Sequence, residues 1–349
     1  MIEENENKKI DIRALEKDEL FMKIDEIGEK TFRAKQIYSW LWEKGVESFE
    51  EMTNLSKPLR EKLDEVFYMD KLDVKAKQRS KDGSIKVAFQ LSDGRLVEGV
   101  LIPSTDRVTA CISSQTGCKL GCTFCATGRI SDLRNLTIGE IFTQVTMLNK
   151  MSEQEYGRKL ANLVFMGMGE PLLNYENVVT AINRISSEDG MNFSASRITV
   201  STIGISKFIK KLADDNVRFN LAISLHTANE EKRNRLMPYS LSDGLKNISE
   251  AIKYFHAKTG ARITYEYILF KDFNDSLQDA KDFASFCKIS PCKINIIEYN
   301  SVQGSGFEKS NPVKSKAFID YMKNCNLIVN VRKSKGGDID AACGQLANK

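Results

Sequence analysis

The sequence predicts an α/β fold: a partial (β/α)6 TIM-type barrel, preceded by a small helical accessory domain and a linking β-hairpin. Three observations predict it. From about residue 108, short β-rich runs alternate with amphipathic stretches of helical length, the pattern of a parallel sheet joined by crossover helices. The polar and glycine-rich residues of that region gather where the runs end, the rim at which such barrels carry their chemistry. Before residue 100 the grain differs, with two amphipathic segments and one hairpin signal but no alternation.

In chain order, TFRAKQIYSWLWEKG and PLREKLDEVF read as two short helices, with Phe32, Ile37, Trp40 and Leu41 as the apolar stripe. Such a stripe is the core of a small helical domain, although Arg33, Lys35 and Lys44 beside exposed aromatics would also suit RNA. SIKVAFQLSDGRLVEGVLIP reads as a hairpin turning at Ser92-Asp93-Gly94. A boundary near residue 100 follows, giving an accessory domain over 1–100 and a catalytic domain over 101–349. Barrel strands are expected at VTACIS, LANLVFMGM, RITVSTI, NLAISLH, RITYEYILF, KINIIEYN and LIVNVRK. Helices are expected at LTIGEIFTQVTMLNKM, ENVVTAINRIS, ISKFIKKLAD, LKNISEAIKYFHAK and SLQDAKDFASFCK.

The 349 residues, 42% of them hydrophobic, suffice for a barrel-sized core plus a smaller unit. The opening MIEENENKKIDIRALEKDEL is too polar for a secretory signal, and no long apolar run follows it. A cytoplasmic protein without a membrane partner is expected. Fifty-one basic against forty-seven acidic residues leave a formal charge of only +4. That balance permits an RNA substrate without demanding one. Local basic groups occur at Lys207, Lys210 and Lys211, and at Lys314, Lys316, Arg332, Lys333 and Lys335.

Cys118-Lys119-Leu120-Gly121-Cys122-Thr123-Phe124-Cys125 packs three of the eight cysteines into one short loop. Three thiolates converging on one centre are one short of a closed zinc site or an ordinary iron–sulfur cluster. A coordination position is left open, and open positions do chemistry. A zinc knuckle or a redox disulfide pair remains the competing reading, since a fourth ligand could arrive from elsewhere. The scattered remainder gives no disulfide framework, which fits a reducing compartment.

The strand ends carry Gly167-Met168-Gly169-Glu170-Pro171, Ser201, Ser224-Leu225-His226 and Tyr299-Asn300. A glycine-rich turn lets backbone approach a ligand, and Glu170 can accept hydrogen bonds from an ammonium or ribose hydroxyls. Near the C-terminus, GGDIDAACGQL sets Cys343 between small residues in a loop, which suits a reactive thiol. Cys287, Cys292 and Cys325 read as packing residues, with a second metal site at Cys287 and Cys292 as the alternative.

The spacing of Cys118, Cys122 and Cys125, with Phe124 before the last, resembles the signature of the radical S-adenosylmethionine (SAM) enzymes. Together with CISSQTGCKLGCTFCATG, FMGMGEP, STIG, SLH, GGDIDAACGQL and the N-terminal FRAKQIYSWLW, it makes nearly the whole chain look like the RlmN family. That resemblance implies a 4Fe-4S cluster on Cys118, Cys122 and Cys125, and SAM held by Gly169, Glu170, Ser201, Ser224, Leu225, His226 and Asn300. It implies methylation of carbon 2 of an adenine in 23S ribosomal RNA and, in some members, in transfer RNA. Cys343 matches the cysteine that is methylated, Cys111 the one that later pairs with it, and Glu98 a proton acceptor. A flavodoxin- or ferredoxin-type electron donor, a thiol reductant and a monomeric enzyme complete the expectation. A C8-type adenine methyltransferase, a radical protein activase and a zinc RNA-binding module are the alternatives.

Overall fold

In a computed structural model, residues 9–347 are described; residues 1–8 of the polar opening segment, and the last two, lie outside them. The N-terminal part comprises β1 (Ile10–Asp11), α1 (Lys17–Glu26), α2 (Thr31–Trp42), α3 (Lys57–Val66) and β2 (Phe67–Tyr68), with β1 and β2 paired in parallel. α2 buries Ala34, Ile37, Tyr38, Leu41 and Trp42. The stripe therefore differs from the expected one. Ala34, Tyr38 and Trp42 recur every fourth residue and share a face with Ile37 and Leu41, which turns Phe32 out to 50% exposure. Arg33 lies over the Phe32 ring and Lys44 over Trp40, leaving a basic and aromatic outer face.

The hairpin region supplies β3 (Asp73–Arg79), β4 (Ile85–Gln90) and β5 (Leu96–Pro103). Its turn closes where expected, Leu91 N–H donating to the Arg95 carbonyl at 2.8 Å, with Gly94 at φ +83°. These strands continue, antiparallel, the sheet that carries the barrel. The boundary expected near residue 100 thus falls within β5, and a cut at residue 90 would strip β3 and the buried β4 from the main sheet.

The barrel strands are β6 (Val108–Ile112), β7 (Asn162–Phe165), β8 (Ile198–Thr202), β9 (Asn220–Ser224), β10 (Ile263–Leu269), β11 (Cys292–Glu298) and β12 (Val329–Arg332). Between them run α4 (Ile138–Tyr156), α5 (Tyr175–Ser186), α6 (Ser206–Asp214), α7 (Glu230–Leu236), α8 (Leu245–Thr259), α9 (Leu277–Phe286) and α10 (Pro312–Asn324). Strand order follows chain order without a break from β3 to β12, and β6 to β12 are parallel. A doubly wound sheet would reverse its order midway. An unreversed order with right-handed crossovers puts the helices on one face and curls the sheet into a barrel, here six βα units and a last strand. No pairing joins β12 to β6 among the described residues, so the barrel is open on that side.

Alternation along the strands divides the two faces. On β10, Tyr265 and Tyr267 pack against Phe283 of α9, while Glu266 and Ile268 line the barrel's interior. Helix starts follow from sequence: Thr137 caps α4 by accepting Glu140 N–H at 3.0 Å, and donates to Asp70 at 2.8 Å. Such a cap contributes about 1 kcal/mol. No helix is long and apolar enough to cross a membrane among the described residues.

Candidate active site

One cavity of about 390 Å³ opens inside the barrel at the C-terminal ends of its strands. Cys111, Cys118, Cys122, Cys125, Gly169, Glu170, Ser201, Ser224, His226 and Cys343 all line it. Leu225, Asn300 and Glu98 do not.

The three-cysteine loop leaves the end of β6. Gly121 adopts φ +64°, a left-handed conformation that reverses the chain between Cys118 and Cys122, and Cys125 N–H returns to the Cys122 carbonyl at 3.1 Å. Burial pushes Cys118 up to about 12 and Cys122 well above its ordinary value; Glu170 and then Cys125 add to the first, Cys125 and Cys118 to the second. Metal binding would take them as thiolates. The buried guanidinium of Arg233 stands near Cys122 and favours that negative charge. Among the described residues no three Cys, His, Asp or Glu side chains are gathered to hold a metal ion. Three cysteines set around a cavity rather than closed on one point fit an iron–sulfur cube better than a zinc knuckle.

The turn after β7 is built for close approach. A Cβ on Gly167 would stand 2.6 Å from the Ile112 carbonyl oxygen, and one on Gly169, at φ +97°, 2.6 Å from Gln115. Glu170, 3% exposed, accepts Leu172 N–H and Ile203 N–H at 3.0 Å each, one on each carboxylate oxygen. Burial still raises it to about 7. On the neighbouring strands Ser201 Oγ and Ser224 Oγ lie 3.2 Å apart. His226 has φ +56°, packs edge-on against Phe124 with ring centres 5.0 Å apart, and accepts Ile268 N–H on Nδ1 at 3.2 Å. Burial, then Arg233, lowers it to about 3, so the ring is neutral. Leu225 is buried beneath it, its carbonyl accepting from Arg233 at 2.5 Å. Asn300 lies beside Gly337, 3.9 Å from where a side chain there would begin.

Cys343 occupies the loop after β12, whose turns use left-handed residues at Gly336, Asp340 and Gly344. Its thiol is open to solvent from the cavity yet walled by protein, and this desolvation raises it. The loop is tied down on two sides. Ala126 N–H donates to the Gly344 carbonyl and Thr127 Oγ1 to the Leu346 carbonyl, both at 2.7 Å, joining it to the three-cysteine loop. On the other side Ser80 Oγ and Lys81 N–H donate to Asp338 at 2.5 and 3.1 Å, and Gly336 N–H to Asp82 at 2.7 Å. Asp338→Ala removes two of these ties. It should speed proteolysis within residues 336–347 several-fold, measured by timed digestion.

Cys111 lies on β6, buried, and the Cys343 thiol is the foremost charge acting on it. All eight cysteines are free, and Cys325, expected in packing, is exposed at the end of α10. Cys287 and Cys292 are buried together, Cys292 Sγ donating to the Cys287 carbonyl at 3.7 Å. Glu98 is fully buried on β5, paired with Lys86 at 3.1 Å and accepting Ala347 N–H at 2.8 Å. It holds the end of the Cys343 loop. Glu98→Gln leaves Lys86 buried without a countercharge and should cost about 3 kcal/mol, read as a lower melting temperature.

Sequence reasoning missed Glu266 and Arg332 as cavity residues. Each sits in a β-rich run at an inward position, a signal that alternation with Tyr265, Tyr267 and Val331 could have exposed.

Two family models match: the ribosomal RNA large subunit methyltransferase N-terminal domain over residues 10–69 and the radical SAM superfamily over residues 112–284. A Flavobacterium psychrophilum protein named "Probable dual-specificity RNA methyltransferase RlmN" is 50% identical over 98% of each chain. An Anaeromyxobacter protein (strain Fw109-5) named "Dual-specificity RNA methyltransferase RlmN" is 43% identical over 97% of this chain and 90% of its own. The crystal structure of a radical SAM methyltransferase from Sphaerobacter thermophilus superposes with a TM-score of 0.92 at 36% identity, covering 97% of this chain and 100% of the other. The cysteine-lined cavity at the barrel rim, the matching N-terminal unit and relatives of this identity over the full length place the chain in the RlmN family of radical SAM proteins.

Proposed function

We propose that the chain methylates carbon 2 of an adenine in 23S ribosomal RNA, and of an adenine in certain transfer RNAs, by way of a methylated Cys343. The observation that carries the reading is the meeting of Cys111 and Cys343, more than two hundred residues apart in sequence, in the cavity that also holds Cys118, Cys122 and Cys125. Carbon 2 of adenine is electron-poor and cannot attack a methyl group as a nitrogen would. A thiol that first takes the methyl group and a second thiol that later releases the product are what such chemistry needs.

Cys118, Cys122 and Cys125 would hold a 4Fe-4S cluster, leaving one iron for SAM beside Gly169, Glu170, Ser201, Ser224 and His226. When bound, the two groups supply the methyl group and the one-electron cleavage that generates a hydrogen-abstracting radical. The protein's own residues do the rest. Cys343 takes a methyl group by displacement, its thiolate being the nucleophile. The carbon bonded to its sulfur, having lost one hydrogen, later joins the base as carbon 2 gives up its own hydrogen, tethering RNA to the chain. Cys111 then attacks the Cys343 sulfur, breaking the tether and leaving a disulfide for a cellular thiol to reopen. An electron donor of flavodoxin or ferredoxin type is required from outside.

RNA binding is supported by the rim. Arg332, Lys333 and Lys335 line the cavity, and the N-terminal unit presents Phe32 and Lys44 outward, with Arg33 over the Phe32 ring and Lys44 over that of the half-buried Trp40. Phosphate contacts and stacking of this kind bind RNA while a base is drawn into a pocket. The region over residues 1–100 is proposed as the accessory RNA-contacting part and 101–349 as the catalytic part, sharing one sheet.

Nucleoside mass spectrometry tests the reading. Ribosomal and transfer RNA incubated anaerobically with reconstituted protein, SAM and reductant should yield 2-methyladenosine. Appearance of 8-methyladenosine would instead assign the C8 reaction, and no methylated adenosine despite SAM cleavage would refute RNA as the substrate.

A further inference from the structure

Three acidic or imidazole side chains line the cavity: Glu170, His226 and Glu266. Both oxygens of Glu170 accept backbone N–H groups, and the accepting nitrogen Nδ1 of His226 is engaged by Ile268 N–H. Glu266 differs. It is 3% exposed, midway along β10, in register with Ser224 of β9 and Asn295 of β11. Asn295 Nδ2 donates to its Oε1 at 2.7 Å, and Asn330 Nδ2 of β12 donates to Asn295 Oδ1 at 3.3 Å. One side of the carboxylate is thereby fixed. The other oxygen, Oε2, is buried with no hydrogen-bond partner.

An unpartnered buried carboxylate oxygen is expensive to keep. Cys343 lines the same cavity, and after burial itself the Glu266 carboxylate is the foremost influence on its thiol, ahead of Arg332. Arg332, on the neighbouring part of β12, is in turn the foremost charge acting on Glu266. Burial, then the Glu266 carboxylate, raises Cys343 and favours its thiol form, which is a poor nucleophile. A proton must leave the sulfur as it reacts.

We infer that Glu266 is the base that receives the thiol proton of Cys343 when its sulfur takes the methyl group. This inference rests on the function proposed above. The S–H bond breaks and its electron pair forms the new S–C bond; the sulfonium C–S bond breaks and its pair stays on the departing thioether; the proton passes to Glu266 Oε2. No electron is gained or lost overall, and Glu266 gives up the proton again before the next turnover. Asn295 is a positioning residue, holding the carboxylate through Oε1.

The test is single-turnover methylation of Cys343, followed by peptide mass spectrometry on the reconstituted full chain with methyl-labelled SAM. Glu266→Gln keeps the acceptor for Asn295 and the side-chain volume but takes up no proton. It should slow S-methylation about a hundredfold, with SAM affinity by equilibrium dialysis and the melting temperature unchanged. Glu266→Asp, which retains a base, should methylate faster than Glu266→Gln. Methylation of Cys343 at the wild-type rate in Glu266→Gln overturns the inference, as does loss of SAM binding, which would make Glu266 a ligand instead. Absence of S-methylcysteine in the wild-type chain would refute the function itself, a different result from wild-type methylation that survives the substitution.

Discussion

Replacing Cys343 by alanine should abolish RNA methylation completely while leaving the iron–sulfur chromophore and SAM cleavage in place. The expectation follows from what the loop does and does not touch. Cys343 shares the cavity with Cys118, Cys122 and Cys125, but the loop is held to theirs by bonds that do not involve its side chain, Ala126 N–H to the Gly344 carbonyl and Thr127 Oγ1 to the Leu346 carbonyl. Removing one sulfur leaves these bonds intact, and alanine at a position with Ala341 and Ala342 just before it introduces no new shape. On the proposed mechanism the sulfur is the sole carrier of the methyl group, so no residual route exists. Anaerobic absorbance with iron and sulfide analysis, beside nucleoside mass spectrometry, checks both halves. Wild-type levels of 2-methyladenosine would sink the role of Cys343.

Cys111→Ala should behave differently, with RNA accumulating as a covalent adduct on the protein. Cys111 is buried on the central strand β6, its thiol raised above its ordinary value by burial and then by Cys343. A thiol of that kind is a weak nucleophile at rest. On the proposed mechanism it acts once the Cys343 sulfur carries an adenine-linked carbon and carbon 2 has given up its proton: attack forms the S–S bond, the C–S pair stays on the departing carbon, and that carbon takes up a proton to become the methyl group. Without Cys111 the earlier steps proceed and the last cannot. A denaturing gel should show a slower band that ribonuclease removes, with at most one equivalent of RNA consumed per chain. Full turnover by the variant would remove Cys111 from the reaction.

Much of this was legible in the residues because local chemistry carried it. Short β-rich runs punctuated by amphipathic stretches give parallel strands and crossover helices wherever the side chains repeat at the two periods, and each of the seven expected runs coincides with one of the strands β6 to β12. Clustered cysteines and strand-end glycines likewise announced the cavity. What stayed hidden depended on tertiary packing. That β3 to β5 extend the barrel sheet is a matter of edge pairing, which no periodicity records. The burial of Trp42 rather than Phe32 follows from which face of α2 meets Phe142, whose ring is 4.8 Å from that of Trp42. Glu266 was obscured because an acid inside a strand reads as a solvent-facing residue until its neighbours are known to face helices.

The open side of the barrel has a practical meaning for handling the protein. Among the described residues no strand bridges β12 to β6, and the polypeptide beyond β12 bends back onto the hairpin, where Ser80, Lys81, Asp82 and Glu98 take hold of it. The tail is thus both a seal over the gap and the carrier of the thiol. Ala347, whose amide Glu98 grips, lies at the far end of that seal. A purification tag placed immediately after Ala347 would pull directly on that seal, whereas one placed ahead of β1 would leave it closed.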